Sequence, residues 1–245
     1  MKIITVAIQK GGTAKTTTAV VLAQAAAFRG KRALLIDLDP QGNASFAAGA
    51  DMRSGSSYDL LTGTPAADLV QPVRAGLDVI PASLNLYTIT SGKGSARRLQ
   101  KALAPIKKNY DFIVIDTPTA GELQYNALQA STGLVIPLQV DMYNLQSLYQ
   151  TTDTARQIQG SNPGLSITGF IFTVFDGRAT FDKKTKEIII DRAAAVGVPY
   201  LGTIRKGVAI KEAAGFQQSL FDYAPKSKPA ADYLALYDTI AAQEV

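Results

Sequence analysis

The segment that constrains this chain most runs from Ile3 to Arg29. Ile3, Ile4, Val6, Ala7 and Ile8 form an apolar run rich in β-branched residues. Gln9-Lys10-Gly11-Gly12-Thr13-Ala14-Lys15-Thr16-Thr17 follows. Residues 16–29 then carry many alanines and neither Gly nor Pro. The pattern predicts a buried strand, a tight loop and a helix, in that order. Such a turn points several backbone N–H groups at one spot, and the helix N-terminus adds its partial positive charge there. The product is a cradle for phosphate. Lys15 is placed to reach the outer phosphates of a nucleoside triphosphate, and the Thr16 hydroxyl suits Mg²⁺. The competing reading is an ordinary strand–turn–helix with two surface lysines.

Apolar runs alternate with helical patterns along the rest of the chain. Strands are expected at 2–8, 32–37, 77–81, 111–116, 133–138, 166–174 and 200–204. Helices are expected at 15–29, 95–108, 122–130, 143–159, 182–195, 207–214 and 228–242. The strands read as near-continuous apolar runs, such as Phe112-Ile113-Val114-Ile115, which fits a parallel sheet covered on both faces. The expected fold is a single doubly wound α/β domain over 1–245, with ligands at the carboxyl ends of the strands. The Gly/Ser-rich pieces at 53–57 and 91–95 read as surface loops.

Composition narrows the chemistry. Hydrophobic residues make up 47% and charged residues 18%, which is a folded rather than a disordered balance. There is no cysteine, so no disulfide or thiolate metal site can form. There is no histidine, which removes the usual neutral-pH base. Any catalysis must use carboxylates, lysines, hydroxyls, backbone and a borrowed metal. No apolar run reaches about 18 residues, and a strand beginning directly after Met1 leaves no room for a signal peptide, so the expected location is cytoplasmic. A net charge of +5 leans toward a polyanionic partner.

Carboxylates stand at two predicted strand ends. Ala33-Leu34-Leu35-Ile36-Asp37-Leu38-Asp39-Pro40-Gln41-Gly42-Asn43 closes one strand with two aspartates that share a face of the pleat. Without histidine, such a carboxylate is the available group for positioning a water. Capping of a turn is the plainer alternative. Tyr110-Asp111-Phe112-Ile113-Val114-Ile115-Asp116-Thr117-Pro118 ends an apolar strand in an aspartate, the arrangement that helps hold hydrated Mg²⁺.

Lys-Gly-Gly-x-x-Lys-Thr resembles the deviant Walker A loop of the ParA/MinD family of ATPases. The resemblance extends over nearly the whole chain and is strongest to the Soj/ParA partition members. Asp-Leu-Asp-Pro-Gln-Gly-Asn is similar to the family's switch I. Asp116-Thr117-Pro118 is similar to its switch II, with Thr119 where a second proline is frequent. Ile167 to Phe170, Asp176-Gly177-Arg178, Glu212-Ala213 to Phe216 and Asp222 to Lys228 continue the match. The resemblance implies ATP and Mg²⁺ as cofactors and a nucleotide-dependent homodimer. Lys10 then reaches the nucleotide of the other subunit. Gly11, Gly12, Thr13, Ala14, Lys15, Thr16 and Thr17 cradle phosphates. Asp39 stands by the attacking water, and Asp116 and Asp37 face Mg²⁺ through water. Pro40, Gln41, Gly42, Asn43, Thr117 and Pro118 move with the γ-phosphate. Phe175 and Arg205 frame the adenine. Ala14 departs from the family's usual Gly, which matters only if that residue needs φ > 0.

The same resemblance implies non-specific double-stranded DNA and a ParB-type centromere-binding protein as partners. Family members with an amino-terminal helix-turn-helix are much longer ahead of the loop, so no such domain is expected here. Residues 93–108 hold Lys93, Arg97, Arg98, Lys101, Lys107 and Lys108 and no acid. On a helix, Leu99, Ala102, Leu103 and Ile106 cluster opposite Arg97, Arg98, Lys101 and Lys108, with a possible kink at Pro105. This stripe is either a solvated face or a DNA contact. The family's use of carboxyl-terminal cations favours Arg178, Lys183, Lys184 and Lys186, and Lys206 and Lys211 beside Arg205. Ala209 stands where some relatives carry a DNA-binding Arg. A MinD-like or protein-cargo positioner is the alternative, although the segment Tyr237 to Val245 has no cations for a membrane surface. A metabolic ATP-dependent ligase on the same scaffold is the third reading.

Overall fold

The computed structural model describes residues 1–92, 94–177 and 180–243. Lys93 and Arg178 of the expected DNA surface lie outside the described residues. The strands are β1 (Lys2–Val6), β2 (Ala33–Asp37), β3 (Gln71–Arg74), β4 (Leu77–Ile80), β5 (Phe112–Asp116), β6 (Gly133–Leu138), β7 (Ser166–Phe175) and β8 (Tyr200–Arg205). They form an eight-stranded sheet in the order β3-β4-β2-β5-β1-β6-β7-β8. Every pairing is parallel except β3 against β4.

The helices are α1 (Lys15–Phe28), α2 (Asn43–Ala48), α3 (Ser57–Thr62), α4 (Arg98–Leu103), α5 (Glu122–Ala130), α6 (Met142–Gln159), α7 (Thr180–Ala195), α8 (Val208–Gly215), α9 (Leu220–Tyr223) and α10 (Lys228–Ala242). Successive residues of β5 show how they divide. Phe112 and Val114 pack with α1, α2, α8, α9 and α10 on one face. Ile113 and Ile115 pack with α3, α4 and α5 on the other. Further along that second face, Leu134 and Ile136 of β6 and Phe170 and Phe172 of β7 meet α6 and α7. Because each central strand buries both faces, the doubly wound arrangement follows from their apolar runs.

α10 is the seal over α1. Tyr233, Leu236, Tyr237 and Ile240 are buried against it. The Tyr233 and Thr18 hydroxyls lie 3.3 Å apart, and Arg29 pairs with Asp238 at 2.5 Å. Burial pushes the Tyr233 phenol up to about 12.

Three differences from the sequence expectation have local causes. The helix expected over 95–108 is broken. A single 3₁₀ turn at Ser95–Arg97 leads into the short α4, and another 3₁₀ turn follows at Lys107–Asn109. Pro105 has no N–H to continue the ladder. Leu99, Leu103 and Ile106 are still buried, but no continuous basic stripe survives. β3 is a strand of intermediate and exposed residues, and its Pro72 fits only an edge position. α2, α3 and α9 are too short to carry a readable periodicity.

Gly169 allows β7 and β8 to approach. Its φ is 146°, and a Cβ there would lie 2.4 Å from the Pro199 carbonyl oxygen. Gly169→Ala is expected to destabilise the fold by about 3 kcal/mol, through both backbone strain and overlap. Urea unfolding followed by circular dichroism measures it; a loss under about 1 kcal/mol would contradict the account.

Candidate functional site

The site lies where β1, β2 and β5 end. The pairing sets Asp116 opposite both Val6 of β1 and Asp37 of β2. The loop after β1 passes above them into α1. A Cβ built on Gly11 or Gly12 would meet nothing within 4 Å, so the space over the loop is open. Gly12 has φ 74° and Ala14 has φ 63°. Ala14 therefore does occupy the left-handed region, and the departure from Gly carries a cost of about 1 kcal/mol.

The loop is held from outside by side chains that motif reading did not single out. The Gln9 backbone N–H donates to Thr151 Oγ1 at 3.1 Å, and its side-chain amide donates to Thr154 Oγ1 at 2.9 Å. Gln139 donates to the Gly12 carbonyl at 2.7 Å, and the Thr173 hydroxyl to the Thr13 carbonyl at 3.0 Å. At position 9 the Gln side chain and backbone find hydroxyl partners on α6. No spacing rule marks Thr151, Thr154 or Thr173; only the placement of α6 and β7 beside β1 brings them together.

Lys15 is buried, and its ammonium donates to the Lys10 carbonyl at 3.1 Å. Burial lowers its pKa, with Asp116 and then Asp39 acting in the opposite direction. Asp116 is fully buried, and neither carboxylate oxygen has a hydrogen-bond partner of good geometry. Burial foremost, then the Asp37 charge, pushes its pKa well above the usual carboxylate value. The nearby Thr16 hydroxyl and Lys15 ammonium pull it back only in part. Asp37 is also fully buried, and its pKa rises to about 6, chiefly by burial.

Asp37 differs from Asp116 in being satisfied. It accepts from the Ser45 N–H at 2.8 Å, the Ser45 hydroxyl at 2.7 Å and the Asp39 N–H at 3.0 Å. Its role here is to anchor the loop and α2, more than to face a cation. Asp39 stands at the rim, where its Oδ1 accepts from the Gln41 N–H and its carbonyl from the Gly42 N–H. Gln41 donates to the Tyr87 hydroxyl at 2.5 Å. The Thr117 hydroxyl donates to the Val6 carbonyl, and Thr119, Ala120 and Gly121 beyond it are exposed. Pro40, Gln41, Tyr87, Pro118 and Glu122 line a cavity of about 420 Å³ next to Asp39.

The donor set fits one hydrated divalent cation. An orphaned buried carboxylate and a neighbouring hydroxyl, open toward a phosphate cradle, match the way Mg²⁺ is held by one or two carboxylates, water and phosphates. Among the described residues no cluster of three or more carboxylates converges.

Lys10 lies at the opposite rim, 3.5 Å from Asp141. Asp141 also caps α6 by accepting from the Tyr143 N–H. Met142 and Tyr143 beside it are exposed, Tyr143 by 80%. Phe175 and Arg205 pair across the ends of β7 and β8. Phe175 is half-exposed, whereas the Arg205 guanidinium is engaged with Asp232 at 2.5 Å. Of the candidate DNA contacts, Lys183, Lys184, Lys206, Lys211 and Lys101 are exposed. Arg98 is half-buried, and Arg97 donates to the Ser161 carbonyl. The Lys186 ammonium is half-buried and lies 5.1–5.9 Å from the centroids of three aromatic rings.

A family model described as an AAA domain matches residues 1–167. The sporulation initiation inhibitor protein Soj of Bacillus subtilis is 36% identical, covering 98% of both chains. A putative plasmid partition protein of Borrelia burgdorferi, bound to AMPPNP, superposes with a TM-score of 0.83 at 25% identity, covering 97% of each chain. Cobyrinic acid a,c-diamide synthase of Mycobacterium smegmatis, with bound ADP and magnesium, superposes with a TM-score of 0.83 at 29% identity, covering 97% of this chain and 93% of that one.

The electrostatics generate two expectations. With Asp37 titrating at about 6 and Asp116 shifted upward, the folded state binds protons more readily than the unfolded state. Metal-free protein should therefore lose stability as the pH rises from about 4 through 6 toward neutrality, and Asp116→Asn should flatten that slope. At pH 7 the same variant should be more stable than the parent by about 1–3 kcal/mol, since it removes a carboxyl whose ionisation burial opposes. Urea titrations across pH, with and without Mg²⁺, test both. Separately, Ala14→Gly should stabilise the protein by about 1 kcal/mol, and an unchanged urea midpoint would argue against strain at that residue.

Proposed function

This chain belongs to the Soj/ParA family of chromosome-partitioning ATPases, and we propose that it is an ATP-switched partition ATPase acting on DNA. The observation that carries the reading is the orphaned Asp116 carboxylate beneath a phosphate loop that holds two lysines at different depths. Lys15 is buried under the loop and serves the nucleotide of its own subunit. Lys10 is at the rim, next to the exposed Met142 and Tyr143, and serves the nucleotide of a second copy.

The roles of the residues follow from their places. Backbone N–H groups of Gly11 to Thr17 hold the phosphates of ATP, and Lys15 neutralises their outer charge. Thr16 and, through water, Asp116 hold Mg²⁺, which when bound draws charge from the phosphate oxygens. Asp39 orients the attacking water; its turn is tied to Asp37 and Tyr87 through the Asp39 N–H and the Gln41 side chain. Loss of the γ-phosphate frees the loops at Pro40–Asn43 and Thr117–Pro118 and separates the two copies. Phe175 and Arg205 frame the base. Lys183, Lys184, Lys206 and Lys211 meet DNA phosphates, and pairing two subunits doubles those contacts. Lys101 and its neighbours form a second candidate patch. A DNA-bound partner of the ParB type stimulates hydrolysis, and the protein associates with the nucleoid.

A membrane-bound variant of this cycle is disfavoured by α10. Its apolar residues are committed to α1, and no described helix is long and apolar enough to cross a membrane. A metabolic role has one point in its favour, the likeness to a named diamide synthase. It predicts ATP turnover that responds to a small carboxylic acid and ignores DNA.

DNA retention tests the proposal, with ATP, with ADP and without nucleotide, at two salt concentrations. Retention is expected only with ATP, weakening as salt rises, and absent in Lys10→Ala. Equal retention with ATP and ADP would refute the switch.

A further inference from the structure

We propose that Lys186 is a positioning residue for the nucleobase end of the site, holding the Phe175 ring in place as its wall. The inference rests on the ATP-binding reading above. β7 is pinned to the phosphate loop just before its end, since the Thr173 hydroxyl donates both to the Thr13 and to the Leu138 carbonyl at 3.0 Å. The next residue, Val174, has φ 55° and is 45% exposed. A β-branched residue in the left-handed region is an outlier that only a surrounding constraint maintains. The β7–β8 register shifts over the same interval, between Phe172 and Phe175. The alternation of the strand is thereby broken one residue before Phe175, right beside the loop.

The kink delivers the Phe175 ring to a prepared position. The Lys186 ammonium lies 5.1 Å from its centroid, and 5.2 and 5.9 Å from those of Tyr200 and Phe172. Gly177, at φ 72°, packs so closely that a Cβ would come within 2.9 Å of the same ring. Lys186 makes no ion pair with a described residue, so its charge is met by aromatic faces rather than by a carboxylate. A half-buried cation placed over three rings fixes their orientation, because the attraction depends on the ring face being turned to it. Phe175 is half-exposed, so part of it stays available to a ligand. A purine at that position would find a flat, preorganised aromatic surface two residues along β7 from Thr173, which bonds the phosphate loop. Lys186 touches no phosphate in this account and acts only through Phe175.

Binding of Mg²⁺–ATP and of Mg²⁺–tripolyphosphate, compared by calorimetry, separates the base from the phosphates. Lys186→Met keeps the side-chain length and removes the charge. It should weaken ATP binding about fivefold while tripolyphosphate stays within about twofold. Lys186→Arg, which keeps the cation, should restore ATP binding. Phe175→Leu should reproduce the ATP-specific loss without touching Lys186. Wild-type ATP affinity in Lys186→Met, or an equal loss of both ligands, would overturn the proposal and leave Lys186 a stabilising residue only. If the unaltered protein bound neither ligand, the ATP-binding reading itself would fall, and this inference with it.

Discussion

Two carboxylates are buried side by side at the ends of adjacent parallel strands, and the rest of the site is arranged around that cost. Asp37 is compensated within the chain by Ser45 and the Asp39 N–H, so it ties a surface loop and α2 to the sheet. Asp116 is not compensated, and the cation that acts on it is Lys15, itself poorly solvated. Such an arrangement is poised for an external dication. When the phosphates that share that dication change, the effect reaches the strand ends directly. On the proposed reading Asp116 holds the cation and Asp37 ties the loop beside it, so the pair couples ligand to loops at a cost in stability.

The phosphate loop has its own support, and the support is uneven. Thr151 and Thr154 of α6 hold its first residue, and Gln139 just after β6 and Thr173 of β7 hold two of its carbonyls. Ala14 accepts a left-handed backbone within the grip. Strain held by many outside contacts is a common feature of ligand clamps. Here it recurs at Val174, so both strained non-glycine residues next to the loop lie where a nucleotide would be held.

Legibility in the sequence followed the range of the interactions. The central strands and α1, α5, α6, α7 and α10 were readable because apolar period and length are local properties. The strand–loop–helix at 3–29 and the placing of Asp37, Asp39 and Asp116 at strand ends were readable because neighbours in sequence encode them. The edge strand with Pro72 and the helices of six residues or fewer were not, because tertiary packing rather than periodicity maintains them. The stripe over 95–108 was misread as one helix, since the apolar positions kept their spacing while Pro105 ended the ladder. The division of labour between Asp37 and Asp116 was also hidden. It depends on Ser45, which the chain brings back only through the turn at Gly42.

The covering of α1 by α10 has a consequence for the order of synthesis. The helix that opens with Lys15 and Thr16 emerges from the ribosome well before α10, whose residues bury its outer side. Until Tyr233 and Asp238 arrive, Thr18 and Arg29 lack their partners on α10. A partly made chain thus presents the cradle on an unsupported helix. Competence to hold nucleotide is expected to appear late and all at once.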